Sequence, residues 1–295
     1  MTIARTTGWL PVLVALVVVI FWGASSVLTK IAAREIDPVL VGVARTVLGG
    51  LVGAPLALAL RIELPKREHY LAFGISAFCG FIGFPIMFSI GQRMTSAMHG
   101  GLILAVLPVF TGLVAAVVER RRPPGRWWLG CAIAFAGEVV LVTSHTASGT
   151  ASSSLAGDLL ILLASVMAAS GYVAGARLTQ ARYASMGATL WGIAMASVIV
   201  LPVYPIANGG WALPAASALA WGAVLFLAWI TSIVGYIGWY WALGHGGIAR
   251  MGTLQFMQPL SGLVLAFFLL GERPTVPLGI ATVLILLGVV IARRR

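Results

Sequence analysis

The chain is a succession of apolar runs, each about as long as a bilayer crossing, parted by short polar breaks. One crossing of the hydrocarbon takes roughly 20 apolar residues in a helix. A backbone inside lipid must also satisfy its own hydrogen bonds, and a helix does this within one segment. The runs fall at residues 9–33, 38–60, 70–91, 96–118, 126–145, 156–179, 184–206, 215–243, 247–270 and 275–292. The expected fold is therefore an all-α membrane protein with ten transmembrane helices. Hydrophobic residues make up 60% of the 295 and charged residues 9%, against about 25% charged in soluble domains. That balance excludes both a soluble globular domain and a disordered chain. The formal charge is +11, yet the basic residues form short clusters between apolar runs, so no nucleic-acid partner is expected.

Smaller signals agree. Cys79 and Cys131 lie within apolar runs and make neither a disulfide framework nor a thiolate metal site. The first run follows Arg5 and reaches Ala24-Ser25-Ser26, but it is too long for a signal-peptide core and reads as a retained span. Asp37-Pro38 offers an N-cap and an N1 proline to the second span. Asp158, behind the polar stretch Ser152 to Ser154, is expected to do the same near the start of the sixth. With the N-terminus in the cytoplasm, 14 of the 19 basic residues fall on the cytoplasmic side, which predicts cytoplasmic termini. Trp127, Trp128 and Trp241 then suit the inner aromatic belt and Trp211 and Trp221 the outer one.

An internal repeat sets the larger plan. An offset of 151 residues brings Gly101 onto Gly252, Pro108 onto Pro259, Ala115 onto Ala266 and Arg122-Pro123 onto Arg273-Pro274. The chain thus divides into five-helix units at 1–146 and 155–295. Five crossings is an odd number, so the units must sit in opposite orientations, as inverted repeats around a central cavity. Matched positions spaced by seven residues mark one stripe on the fourth and ninth spans, read as a packing seam. Pro108 and Pro259 near mid-membrane read either as tolerated local bends or as gating hinges. Gly49/Gly53 and Gly171/Gly175 read as close-approach pairs.

These features together resemble the drug/metabolite transporter superfamily, EamA type. The resemblance rests on Phe21-Trp22-Gly23-Ala24-Ser25, Arg45 early in the second span, Pro108, and the run from Gln258-Pro259 through Gly271-Glu272-Arg273 to Gly279 and Gly288. It implies a cavity lined mainly by the first, third, fourth, sixth, eighth and ninth spans, alternating access, and export of amino acids and related metabolites across a bacterial inner membrane.

Polar groups are costly in hydrocarbon, so clusters of them point to a wet cavity. At about 100° per residue, Trp22, Ser25 and Ser26 share a face of the first span, and Trp229, Ser232 and Tyr236 a sector of the eighth. Trp239 and Tyr240, near that span's end, read as interfacial anchors. The repeat maps Trp229 onto Phe78, giving the third span an aromatic wall with Phe81, and Ser170 matches Ser25 in the sixth. Gln255 and Gln258 lie one turn apart on the ninth. The hydroxyls have an alternative in bonds to their own backbone. Glu138 is the only acid deep in a span and is either a coupling group or a locally paired structural residue, since the resemblance puts the fifth span outside the cavity. Arg45 is explained by snorkelling or pairing.

A sugar-phosphate carrier would need several buried cations, and a multidrug cation pump a cavity acid. A mostly neutral aromatic cavity suits a neutral or zwitterionic solute instead. The expected function is export of aromatic and other neutral amino acids and related metabolites. Multidrug or cation efflux is the alternative, and an intramembrane enzyme a remoter one, since no catalytic carboxylate pair, metal-ligand face or nucleotide loop is present. The expected partners are a small-molecule substrate and the lipid bilayer, with no cofactor and no metal.

Overall fold

Helices form where the apolar runs lie. The computed structural model describes residues 9–118, 120, 124–148, 154–211, 213–246, 251 and 253–293, leaving aside the side chains of 138, 141–148, 253, 256–257, 259–260, 289 and 292–293. Among the described residues there is no strand, and seven stretches are long and apolar enough to cross a membrane. These are α1 (Leu10–Glu35), α2 (Pro38–Ala59), α3 (Arg67–Met94), α4 (Ala97–Val118), α6 (Leu155–Gln180), α7 (Ser185–Asn208) and α8 (Ala218–Gly246). Three further apolar helices are α5 (Gly125–Ser148), α9 (Met257–Leu270) and α10 (Val276–Arg293).

Two of the expected caps differ in outcome. The Asp37 carboxylate accepts from the Val39 and Leu40 amides at 3.0 Å each, starting α2 on Pro38. At α6 the cap is instead Ser154, which accepts from Gly157 N at 3.1 Å. Asp158 lies inside the first turn, fully buried, with its carboxyl against the Thr95 hydroxyl. A cap residue must precede the first turn, and Asp158 comes four residues too late.

The helices pack in a repeated pattern. α2 lies along α7, and α5 along α10, as two flanking pairs. Between them α1 packs on α8 and α9, while α6 packs on α3 and α4. Glycines allow the closest crossings: a Cβ on Gly171 of α6 would stand 2.9 Å from Gly80 Cα of α3, and one on Gly53 of α2 would stand 2.9 Å from the Ile193 side chain of α7.

Three helices depart from α geometry. α3 and α8 contain π stretches at Ser76–Gly83 and Leu227–Val234, which coincide under the 151-residue offset. α4 contains a 3₁₀ turn at Leu104–Val106. Its cause is Pro108, which has no N–H to give to Leu104 O four residues back. The Leu107 N–H takes that carbonyl instead, tightening the turn.

The bundle's two ends are tied differently. At one, the Lys30 ammonium donates to the Gln92, Arg93 and Thr95 carbonyls, the first at 3.1 Å. The Glu272 carboxylate accepts from Ala97 N at 2.9 Å and Met98 N at 2.8 Å, and Glu35 accepts from the Ser217 amide and hydroxyl at 2.7 Å each. At the other, Tyr183 Oη donates to Glu63 O at 2.8 Å and Trp191 Nε1 to Ile62 O at 3.1 Å.

Candidate substrate cavity

A small internal cavity lies where the central helices meet. Its walls are Trp22 and Ser25 of α1, Arg45 of α2, Phe84 of α3, Leu104 and Leu107 of α4, Tyr172 of α6, Tyr236 of α8 and Gln258 of α9. The free space is about 10 Å³, room for about one water. This conformation is closed around its centre.

One wall is a layered group of aromatic rings. Trp22 stacks on Tyr172 at 5.3 Å between centroids and 5° between planes. Tyr236 meets Trp22 edge-on at 5.5 Å and packs on Phe81 at 4.7 Å. Trp239 closes the group at 5.3 Å from Trp22. Two of the polar tips are anchored to another helix: Trp22 Nε1 donates to Thr231 O at 2.9 Å, and Tyr236 Oη to Gly80 O at 3.1 Å. Such anchoring fixes ring positions, which plain hydrophobic packing does not.

The opposite feature is a buried cation. Arg45 is 3% exposed. Its Nε donates to Ser232 Oγ at 2.7 Å, and the guanidinium carbon stands 5.5 Å from the centre of the Phe84 ring. The Ser232 hydroxyl donates in turn to Leu227 O at 3.0 Å. Among the described residues no carboxylate pairs with Arg45.

The residues expected from sequence divide into three sets. Trp22, Ser25, Tyr236 and Gln258 line the cavity, with Phe81 and Ser232 packed directly behind it. Ser26 is buried against Gly101, Ser170 donates to its own Val166 O at 2.9 Å, and Gln255 is buried with neither amide atom partnered among the described residues. Phe78 and Trp229 point away: they are 54% and 40% exposed, and Trp229 Nε1 donates to Leu48 O at 3.2 Å on the bundle's outside. Both stand third in their π stretches, where more residues are spent per turn than an α-helix uses. Counting 100° per residue therefore turned them onto the wrong face. Pro108 follows the 3₁₀ turn Leu104–Val106 by two residues, and Leu104 of the turn and Leu107 beside the proline face the cavity. The side chains of Glu138 and Pro259 lie outside the described residues.

Three other expectations are corrected. Trp239 and Tyr240 are not interfacial anchors but 1% and 0% exposed, with Tyr240 Oη 3.0 Å from Ser76 Oγ. Tyr172 and Phe84 were not expected at the site at all. Arg45 is buried and has no carboxylate partner among the described residues, so a cation lines the chamber expected to be mostly neutral.

Comparison with known proteins gives the family. The model of the EamA-like transporter family matches residues 9–143 and again 155–294. The chain belongs to this family. It is 28% identical over 293 residues to a Bacillus subtilis protein called "Uncharacterized transporter YdeK", covering 98% of each chain. It is 26% identical to an Escherichia coli protein called "Probable amino-acid metabolite efflux pump", covering 94% of this chain and 92% of that one. A Streptantibioticus cattleyicolor protein called "Probable terminal-alkyne amino-acid exporter" is also 26% identical, over 86% and 87%. A solved crystal structure shares the fold with a TM-score of 0.68 at 19% identity, covering 96% of both chains. The family and the names of these relatives make the chain a multi-pass membrane transporter.

Proposed function

We propose that this EamA-like transporter exports aromatic and other neutral amino acids and related small metabolites across a bacterial inner membrane. The observation that carries the reading is the central cavity, whose wall of fixed rings Trp22, Tyr172 and Tyr236 faces Ser25 and Gln258. Rings in that arrangement stack apolar side chains and attract an ammonium group. An amide and a hydroxyl hold the polar end. The names of the Escherichia coli and Streptantibioticus relatives fit the same class of cargo. Among the described residues no acid lines the cavity, which disfavours a cation pump.

In this reading ten transmembrane helices form two inverted five-helix repeats, 1–146 and 155–295, with both termini cytoplasmic. The coincidence of the two π stretches under one offset supports it, as does the matched packing of α1 on α8 and α9 and of α6 on α3 and α4. Closure at the centre calls for one half to rock against the other. Pro108 and Pro259, the former beside a 3₁₀ turn, serve as the hinges. Transport is facilitated diffusion, and Glu138 is the residue to test for coupling. Proteoliposomes loaded with labelled phenylalanine should show saturable efflux and counterflow. Chemical conversion without flux, or flux that does not saturate, would overturn the carrier reading. Glu138→Gln should leave any pH dependence of flux unchanged. Its loss, in a folded variant, would establish proton coupling.

A further inference from the structure

We infer that Arg45 is the carboxylate-binding group of this cavity, so that the cargo must carry a carboxylate beside an aromatic or apolar body. The inference rests on reading the cavity as a substrate chamber, and it names the chemical class that chamber selects.

A guanidinium taken out of water costs several kcal/mol unless an opposite charge meets it. Arg45 is buried in the middle of a membrane bundle, and no described residue supplies that charge. Intramembrane cations of this kind mark substrate paths. A purely structural Arg would be expected to spend its whole fork on the protein. Here only Nε is spent, on Ser232 Oγ at 2.7 Å. The two terminal nitrogens have no hydrogen bond to a described residue, and Arg45 is one of the cavity's walls. Those two nitrogens form the planar edge that receives a carboxylate in a bidentate pair.

The surroundings orient this edge. Ser232 is itself held by Leu227 O, a carbonyl within the π stretch of α8. The Phe84 ring lies against one face of the guanidinium. Both constraints limit how the fork can turn, which cuts the entropy lost on binding. The rest of the wall is aromatic and aliphatic, and its polar groups are the Gln258 amide, the Ser25 hydroxyl and the phenol groups of Tyr172 and Tyr236. One cation among neutral polar groups balances one carboxylate. A phosphate dianion would call for a second cation, and among the described residues Arg45 alone supplies one to the lining. The closed conformation has room for about one water, so binding requires the helices to part.

The test uses the full-length protein in nanodiscs and two probes that differ only at the polar end, 3-phenylpropionate and 2-phenylethylamine. Binding is read from quenching of tryptophan fluorescence, and each probe also competes against labelled phenylalanine in proteoliposomes. Wild type should prefer the acid to the amine by about 10-fold or more, the range expected for one charge-assisted bidentate pair. Arg45→Gln should bring the ratio close to one, and Arg45→Lys should keep part of it. Ser232→Ala keeps the charge but frees the fork, and should reduce acid binding severalfold. It also covers the case in which Arg45→Gln does not fold. Equal binding of acid and amine by wild type overturns the inference, as does an unchanged ratio in folded Arg45→Gln or folded Ser232→Ala. Acid preference without phenylalanine flux would remove the transport reading and keep the carboxylate site. Flux without acid preference would do the reverse.

Discussion

The α3–α6 crossing offers a sharp test, because the two glycines that touch there should respond oppositely to the same substitution. A Cβ added to Gly171 would lie 2.9 Å from Gly80 Cα and 3.0 Å from Gly80 N. Carbon atoms rest at about 3.5–4.0 Å, so the two backbones must separate by roughly 0.5–1 Å. Neither obstacle is a side chain that can rotate away. A Cβ added to Gly80 meets only ordinary contacts: Tyr236 Cε1 at 3.5 Å, Tyr236 Oη at 3.8 Å and Gly171 Cα at 3.9 Å. The difference arises because Cβ points in a set direction from each helix, and only one of the two points into the other backbone. Overpacking of a tight core costs about 1–3 kcal/mol. Separation at this point also strains the Tyr236–Gly80 and Tyr240–Gly171 hydrogen bonds, 3.1 and 3.4 Å long, which tie α8 to the same crossing. Gly171→Ala should therefore lower the melting temperature of the detergent-purified protein by several degrees, at about 2–4 °C per kcal/mol for domains of this order of size. Gly80→Ala should match wild type or exceed it by up to about 2–4 °C, since no contact is violated and a helical Ala is favoured over Gly by about 1 kcal/mol. Equal losses from the two variants, or a larger loss at Gly80, would refute the argument and with it the placement of this crossing.

Three further outcomes follow from the same geometry. Glu272→Gln leaves only one oxygen for the Ala97 and Met98 amides and removes the negative charge from the start of α4; a loss of about 1–2 kcal/mol is expected, read as a lowered melting temperature. Asp37→Ala removes both 3.0 Å cap bonds of α2 and should cost about 1 kcal/mol, with Asp37→Asn retaining most of the stability. Gln258→Ala should change the rate or selectivity of phenylalanine flux, whereas Trp229→Ala, outside the cavity and 40% exposed, should leave flux within about twofold.

The helical plan was legible because lipid leaves a spanning chain few options. Apolar length and polar punctuation locate helices without any knowledge of their neighbours. Asp37-Pro38 could be read as a start for the same reason, since capping is a local geometry. Asp158 misled because a carboxylate near a helix start looks like a cap, while the residue that reaches back to Gly157 N is Ser154. Its burial against Thr95 is a tertiary fact that no local pattern records.

The site was less legible, and the failures share two physical causes. A helical wheel assumes a constant turn per residue, and each π stretch breaks that assumption within its own span. Phe78 and Trp229 fell to the same error because the repeat that linked them also repeated the distortion. Agreement between the halves was thus no independent check on the face. The second cause is that a charge in a span carries no label for its partner. Arg45 is near enough to a helix end in sequence to snorkel, and only the packing of α2 against α3 and α8 shows it turned inward onto Ser232 and Phe84. Tyr172 was hidden similarly, since nothing in α6 alone announces that its ring stacks on Trp22 from the other half of the chain. The cavity is thus assembled from both halves, with Trp22, Arg45 and Phe84 on one side and Tyr172, Tyr236 and Gln258 on the other. In the movement proposed above, the Trp22–Tyr172 stack spans the two halves and must open before cargo can reach Arg45.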